Sequence, residues 1–315
     1  MIRRRVRLKI LTQPSTGGSD GQYTEIPVSI RGPGRMSNAA IGLVLLAAVM
    51  HASWNALVKT SGDRLAILGL IAGGHMLLGI AIATRFPVPA VESWPYIAAS
   101  TVIHFGYYFL LYHSYRLGDL SHVYPIARGM SPVLVALGAQ VFAGETLPLL
   151  AWAGVLTASI GIFMLSGNVF RRAVPPLMVL TAMATGVIIA SYSLVDGMGV
   201  RVAGVAMAYI GWLFVFEGIA ALFILGKILH GRRRVSGRVI WLGLLGGFLS
   251  GGAYGLVIYA KALAPLGVVS TLRETSVVFA ALIGIVLMGE RPWRLRIVAS
   301  VIVAGGVILM TVGSI

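Results

Sequence analysis

From residue 38 onward the chain alternates apolar runs of about 20 residues with short polar breaks. A helix rises about 1.5 Å per residue, so each run is long enough to cross a hydrocarbon layer of about 30 Å. The runs fall at 38–58, 65–84, 95–115, 120–142, 147–166, 175–195, 203–225, 238–259, 266–288 and 294–313. They predict ten transmembrane helices in an all-α integral membrane protein. A membrane barrel would alternate lipid-facing and lumen-facing residues over about ten positions, whereas these runs are apolar on every face. The breaks carry turn and charge residues, among them Lys59 to Arg64, Asp196 to Arg201, Lys227 to Gly237 and Lys261 to Pro265.

Composition agrees. Hydrophobic residues make up 57% of the chain and charged residues 11%, against about 25% charged in soluble domains; the mean hydropathy is +0.89. The net charge of +15 would suggest nucleic acid on a soluble domain. Here the bases cluster between apolar runs, as in Arg232, Arg233 and Arg234 or Arg291, Arg294 and Arg296. That placement sets membrane orientation and headgroup contact, so the bilayer is the expected partner and nucleic acid is not. The absence of cysteine removes disulfides, thiolate metal sites and Fe–S clusters.

Residues 1–37 differ from the rest. They are polar and basic, with Arg3, Arg4, Arg5, Arg7 and Lys9 near the start and no apolar signal segment behind them. The readings are a disordered tail, a lipid-binding arm, or a start placed too early, since Met36 directly precedes the first apolar run.

An internal repeat is the most informative feature. The stretch Arg128-Gly-Met-Ser131 to Gly144-Glu145 returns 145 residues later as Arg273-Glu-Thr-Ser276 to Gly289-Glu290, with about eight of eighteen positions identical. A weaker echo links Ala52-Ser53-Trp54-Asn55 to Ala190-Ser191-Tyr192-Ser193. Two five-helix halves, 38–168 and 174–315, follow. Because five is odd, the second half must enter the membrane inverted. Inverted repeats are an architecture of alternating-access transporters, which bind substrate near the midplane between the repeats.

With each half ending its fourth helix in Gly-Glu, and with Tyr115-Arg-Leu-Gly-Asp-Leu and Ala260-Lys-Ala-Leu-Ala-Pro-Leu before those helices, residues 38–315 resemble the EamA family of the drug/metabolite transporter superfamily. The resemblance implies a secondary transporter, with export of amino acids, other small metabolites or drugs as the expected activity. It also implies a bacterial inner membrane location and no cofactor. Arg128, where a small or apolar residue is expected, and the split between Pro125 and Pro132 depart from the pattern and bear on substrate class.

Ionisable residues inside a span cost about 2.5–3.5 kcal/mol on insertion scales and mark functional candidates. Arg128 and Arg273 are the strongest, since a guanidinium fork matches carboxylate or phosphonate oxygens. Tyr124 shares a face with Arg128, and Tyr108 shares one with His104. In the first helix His51, Asn55 and Lys59 follow at spacings of four, with Trp54 on the adjoining stripe. The expected substrate-binding set is therefore Arg128, Arg273, Tyr124, Asn55, Trp54 and Tyr108. Glu217 and His51 are the candidates for proton coupling. Each has a structural alternative in an ion pair, an interhelical hydrogen bond or snorkelling. The closing Gly-Glu pairs read as helix caps or gate partners, and His75 and His104 lack metal-ligand spacing.

No phosphate-binding loop, catalytic triad or HExxH motif occurs, so an enzyme is not expected. The leading reading is a secondary transporter, and an exporter, of a small polar or anionic metabolite such as an amino acid, carboxylate or phosphonate. The alternatives are a membrane enzyme on a lipid-linked substrate, or a non-transporting scaffold or sensor. Monomer and homodimer both stay open. Odd-numbered loops carry most of the bases, which places them in the cytoplasm by the positive-inside rule; the basic tail and the resemblance point the other way.

Overall fold

The computed structural model describes residues 6–11, 23–28, 36–59, 64–117, 120–165, 175–230, 235–289 and 291–314. In the tail, β1 (Val6–Leu11) pairs antiparallel with β2 (Tyr23–Val28), Val6 opposite Val28. These are the only strands among the described residues. The remainder is helical.

The first half comprises α1 (Asn38–Lys59), α2 (Arg64–Ala83), α3 (Trp94–Leu117), α4 (Leu120–Phe142) and α5 (Leu149–Met164). The second comprises α6 (Pro176–Val202), α7 (Ala206–Glu217), α8 (Ile219–His230), α9 (Gly237–Leu263), α10 (Leu266–Arg273), α11 (Ser276–Val286) and α12 (Trp293–Gly313). Among the described residues eight helices are long and apolar enough to cross a membrane, counting Ala206–Ile224 and Leu266–Val286 as single units. The predicted spans 95–115 and 147–166 correspond to α3 and to the 16-residue α5.

Three boundaries differ from the hydropathy reading. The predicted break from Asp196 to Arg201 is helical, since α6 continues to Val202. The break beginning at Lys261 is entered only after α9 ends at Leu263. Hydropathy ends a span at a charge, but a helix needs only satisfied backbone groups and finds partners for its charges on neighbouring helices. Third, two predicted spans are each interrupted. One breaks at Glu217 and Gly218, where the amide of Ala221 bonds the Gly218 carbonyl. The other tightens after Arg273 into bonds three residues apart, from Thr275 to Leu272 and from Val277 to Glu274. Such tightened turns inside a long helix accompany functional hinges.

Glycine sets the packing that positions the cavity. Gly243, Gly247 and Gly251 of α9 form a stripe along α2. A Cβ on Gly247 would lie 2.8 Å from the Ile71 carbonyl oxygen and 2.9 Å from the Gly74 Cα, so only glycine lets the two backbones meet. One turn further, Gly251 lies against the His75 ring, which thereby faces inward between the two helices. The repeated Gly-Glu signature has a backbone cause as well: Gly144 and Gly289 adopt φ of 66° and 62°, the left-handed conformation that stops a helix and suits glycine.

Met36, Ala40, Leu147, Ala151, Ala264 and Met310 share one apolar cluster. The start of α1, the end of α12 and the turns after α4 and α9 are therefore at one end of the bundle. At this end Ala90 bonds Ala203, joining the turn after α2 to the turn after α6.

Candidate functional site

A cavity of about 90 Å³ sits in the middle of the bundle. Its wall takes His51 and Trp54 from α1, His75 from α2, His104, Tyr107 and Tyr108 from α3, Tyr192 from α6, Glu217 from α7, Tyr254 from α9 and Arg273 from α10. Both halves contribute, so the lining is aromatic, basic and acidic at once.

Glu217 is the acidic hub. It is the last residue of α7, where the helix breaks. Tyr108 donates to its Oε1 at 3.0 Å, His75 Nδ1 lies 3.3 Å from its Oε2, and His104 Nε2 lies 4.0 Å from Oε1. His104 is held in turn by Ser100 of its own helix, Nδ1 to the carbonyl at 2.9 Å, and its ring stacks on Tyr192 at 4.3 Å. His75 Nε2 is buried and has no hydrogen-bond partner among the described residues. The carboxylate is thus fixed by donors from two other helices, which offsets its desolvation.

The two repeat-related arginines have different surroundings. Arg128, 2% exposed, donates to Ser276 Oγ at 3.0 Å and ion-pairs with Glu274 Oε2 at 3.1 Å. A first-half helix is thereby tied to the tightened turn between α10 and α11. Pro132, one turn after Arg128, has no N–H for the Arg128 carbonyl, so both arginines stand at irregular points of their helices. Arg273 lines the cavity and has no carboxylate within ion-pairing distance among the described residues.

Of the residues singled out in the sequence, His51, Trp54, Tyr108, Glu217 and Arg273 converge on the cavity wall. Trp54 Nε1 donates to His51 Nδ1 at 3.2 Å, fixing the two rings edge to face. Asn55 is elsewhere: its amide donates to the His51 carbonyl of its own helix at 2.7 Å. Arg128 is not among the cavity residues. The side chain of Tyr124 lies outside the described residues, as does that of Lys59. No cluster of three or more metal-ligating side chains occurs among the described residues.

Hydropathy missed a second polar cluster, toward the end of the bundle that carries the termini. Asp196 and Lys261 are both 0% exposed. Asp196 accepts from Tyr209 at 2.9 Å and from Tyr254, whose ring also lines the cavity. The Lys261 ammonium donates to the Ser193 carbonyl at 2.8 Å and to its hydroxyl at 2.5 Å. Beyond it lies a latch: Arg201 pairs with Glu145 at 2.7 Å and donates to the carbonyls of Lys261 and Ala264, each at 2.9 Å. Glu145 also accepts the Leu266 amide at 2.7 Å, capping α10 from the other half. Of the two roles expected of this Glu, cap and gate partner, the structure shows a cap, made to α10 rather than to its own helix. One sequence signal pointed to Lys261, the match of Ala260-Lys261 to Tyr115-Arg116 between the halves.

Comparison with known proteins accords with this arrangement. One solved structure, described only as a protein crystal structure, superposes with a TM-score of 0.70 at 20% identity, covering 89% of this chain and 98% of that one, which shows a shared fold. No curated protein matches the sequence. The model of the EamA-like transporter family matches twice, over residues 38–167 and 176–312. A doubled family match across an apolar helical bundle makes this chain an integral membrane protein of the EamA-like transporter family, in the drug/metabolite transporter superfamily.

Proposed function

We propose that the chain is a secondary transporter of a small metabolite bearing a carboxylate or phosphonate. On this reading it has ten spans, built as two inverted five-helix repeats over 38–168 and 174–315, and works by alternating access. An all-helical bundle is the architecture of inner rather than outer bacterial membranes, so the bacterial inner membrane is the proposed location. The observation that carries the substrate class is Arg273, a guanidinium in the cavity wall with no carboxylate in ion-pairing range among the described residues. A bound carboxylate completes that pair bidentately. Trp54, Tyr108 and Tyr192 supply aromatic surface for the rest of the molecule. An amino acid suits the same site, its ammonium facing Glu217 and the ring faces.

On this reading Arg128 holds the hinge through Glu274, and the helix breaks at Glu217 and Arg273 are the points at which the second half bends. Export is the direction that family membership favours; a secondary transporter runs either way with its gradients. The test is counterflow in proteoliposomes with radiolabelled L-glutamate, succinate and phosphonoacetate, comparing wild type with Arg273→Gln. Loss of a charge-assisted contact of about 1.5–3 kcal/mol lowers apparent affinity about tenfold or more. Equal exchange by both proteins, or exchange of none of the three anions, removes the anion assignment.

A further inference from the structure

Lys261 is a buried titratable group with no part in the cavity described above. Its ammonium is fully enclosed and rests on a backbone carbonyl and a hydroxyl of one residue, Ser193. No carboxylate lies within ion-pairing distance of it among the described residues. The charges that face it are Asp196 and Arg201 of α6, Glu145 of the turn after α4, and Arg273 of α10; His104 of α3 acts on Asp196 in turn. Glu145, the other carboxylate that faces it, is engaged by Arg201, and further off Glu274 pairs with Arg128 and Glu217 with His75. Asp196, which no arginine engages among the described residues, is left as the carboxylate that counters Lys261, while Arg273 opposes it. An arginine keeps its proton in any protein setting, whereas a buried lysine can give one up.

We propose that Lys261, seated on Ser193 and countered by Asp196, carries a proton through the transport cycle, and that this proton is bound jointly with an anion on Arg273. This rests on the anion-transporter reading above and adds the coupling site to it. With the cavity empty, Arg273 and Lys261 repel across a low-dielectric interior. An anion on Arg273 cancels that repulsion and favours the ammonium. Linkage makes the effect reciprocal, so a protonated Lys261 favours anion binding. Tyr254 connects the two places physically, with its ring on the cavity and its hydroxyl on Asp196. The exit lies at the latch. Arg201 is bonded to the Lys261 carbonyl itself, so separating Arg201 from Glu145 displaces the turn of α9 that carries the ammonium. Proton and anion then move in the same direction, and the cell's proton gradient favours uptake; export by this cycle requires an outward anion gradient.

The experiment compares exchange with gradient-driven accumulation in the same proteoliposomes, using succinate, L-glutamate and phosphonoacetate as probes. Exchange needs only the cavity and the conformational change, whereas accumulation under an inside-alkaline pH gradient needs the proton site. Wild type is expected to accumulate the probe it exchanges by roughly fivefold or more, the low end of ordinary coupling between sites. Lys261→Gln, which keeps hydrogen-bonding capacity and loses the charge, is expected to exchange the probe and to show no response to the gradient. Should Lys261→Gln fail to fold, Ser193→Ala removes the hydroxyl partner alone, and its gradient response is expected to shift along the pH axis while exchange continues. A wild type that exchanges the probe without any gradient response overturns the coupling and leaves the transporter reading intact. So does a Lys261→Gln protein that accumulates as wild type does, or accumulation under an inside-acid gradient. A wild type that exchanges none of the three probes shows itself before any gradient is applied, and both readings fall.

Discussion

The Arg128 guanidinium and the Glu274 carboxylate lie 3.1 Å apart in the interior, joining the fourth helix of the first half to the break in the second. The pair explains why two arginines related by the repeat differ in their surroundings: the residue after Arg273 is the acid that engages Arg128. Removing one member of a buried ion pair costs about 3–5 kcal/mol, because the other charge stays behind. Glu274→Gln is expected to lower the thermal midpoint of the detergent-solubilised protein strongly. Adding Arg128→Gln is expected to restore part of the loss. Additive losses in a double-mutant cycle would show that the two side chains do not interact.

How far the sequence reaches is clearest at three places. Glu217 and Arg273 were identifiable because ionisable groups inside apolar runs are costly, and His51, Trp54 and Tyr108 by helical spacing along α1 and from His104; all five line one cavity. Asn55 satisfied the same criterion, yet its amide is used within its own helix. Asp196 and Lys261 look like loop residues for the reason that made the others visible. A hydropathy window registers the cost of a charge, while its compensation comes from Tyr209, Tyr254 and Ser193, distant in sequence. The Gly-Glu signature was readable as a helix end, but only the structure shows Glu145 reaching the Leu266 amide of the other half.

The glycine stripe predicts opposite effects at adjacent positions. A Cβ at Gly246 has its nearest neighbours at 3.8 Å, an ordinary contact, whereas at Gly247 it meets the α2 backbone at 2.8 Å. Alanine gains up to about 1 kcal/mol over glycine in a helix, and forced overpacking costs about 1–3 kcal/mol. Gly246→Ala is therefore expected to leave stability unchanged or raised, and Gly247→Ala to lower it. Thermal unfolding of the two proteins side by side decides, and equal midpoints would falsify the close α2–α9 contact.

Glu217 and Tyr108 should be energetically coupled. The hydroxyl donates to the carboxylate at 3.0 Å across the cavity wall, and hydrogen bonds to charged groups contribute about 1.5–3 kcal/mol. Tyr108→Phe and Glu217→Gln are each expected to destabilise the protein, and the double variant by less than their sum. The discrepancy, read from denaturation midpoints, should be at least about 0.5 kcal/mol for residues in direct contact. A sum that closes within error means that the two groups are held independently.

The latch can be tested by chemistry because the chain has no cysteine of its own. At the end of the bundle that carries the termini, Arg201 pairs with Glu145 and bonds the carbonyls of Lys261 and Ala264. Ala264 beneath it is buried, at 6% exposure. A single Ala264→Cys protein in liposomes is expected to react slowly with a membrane-impermeant maleimide added on that side. Adding Arg201→Gln removes the ion pair and both carbonyl contacts together, which shifts the population toward the state open at this end and speeds labelling. The sign separates a gate from a static clamp: a clamp that loosens and unfolds exposes the cysteine from both sides and lowers the thermal midpoint in parallel. A gate exposes it from one side while the fold persists. Labelling that stays slow in the double variant means that the Glu145–Arg201 pair does not hold this end closed.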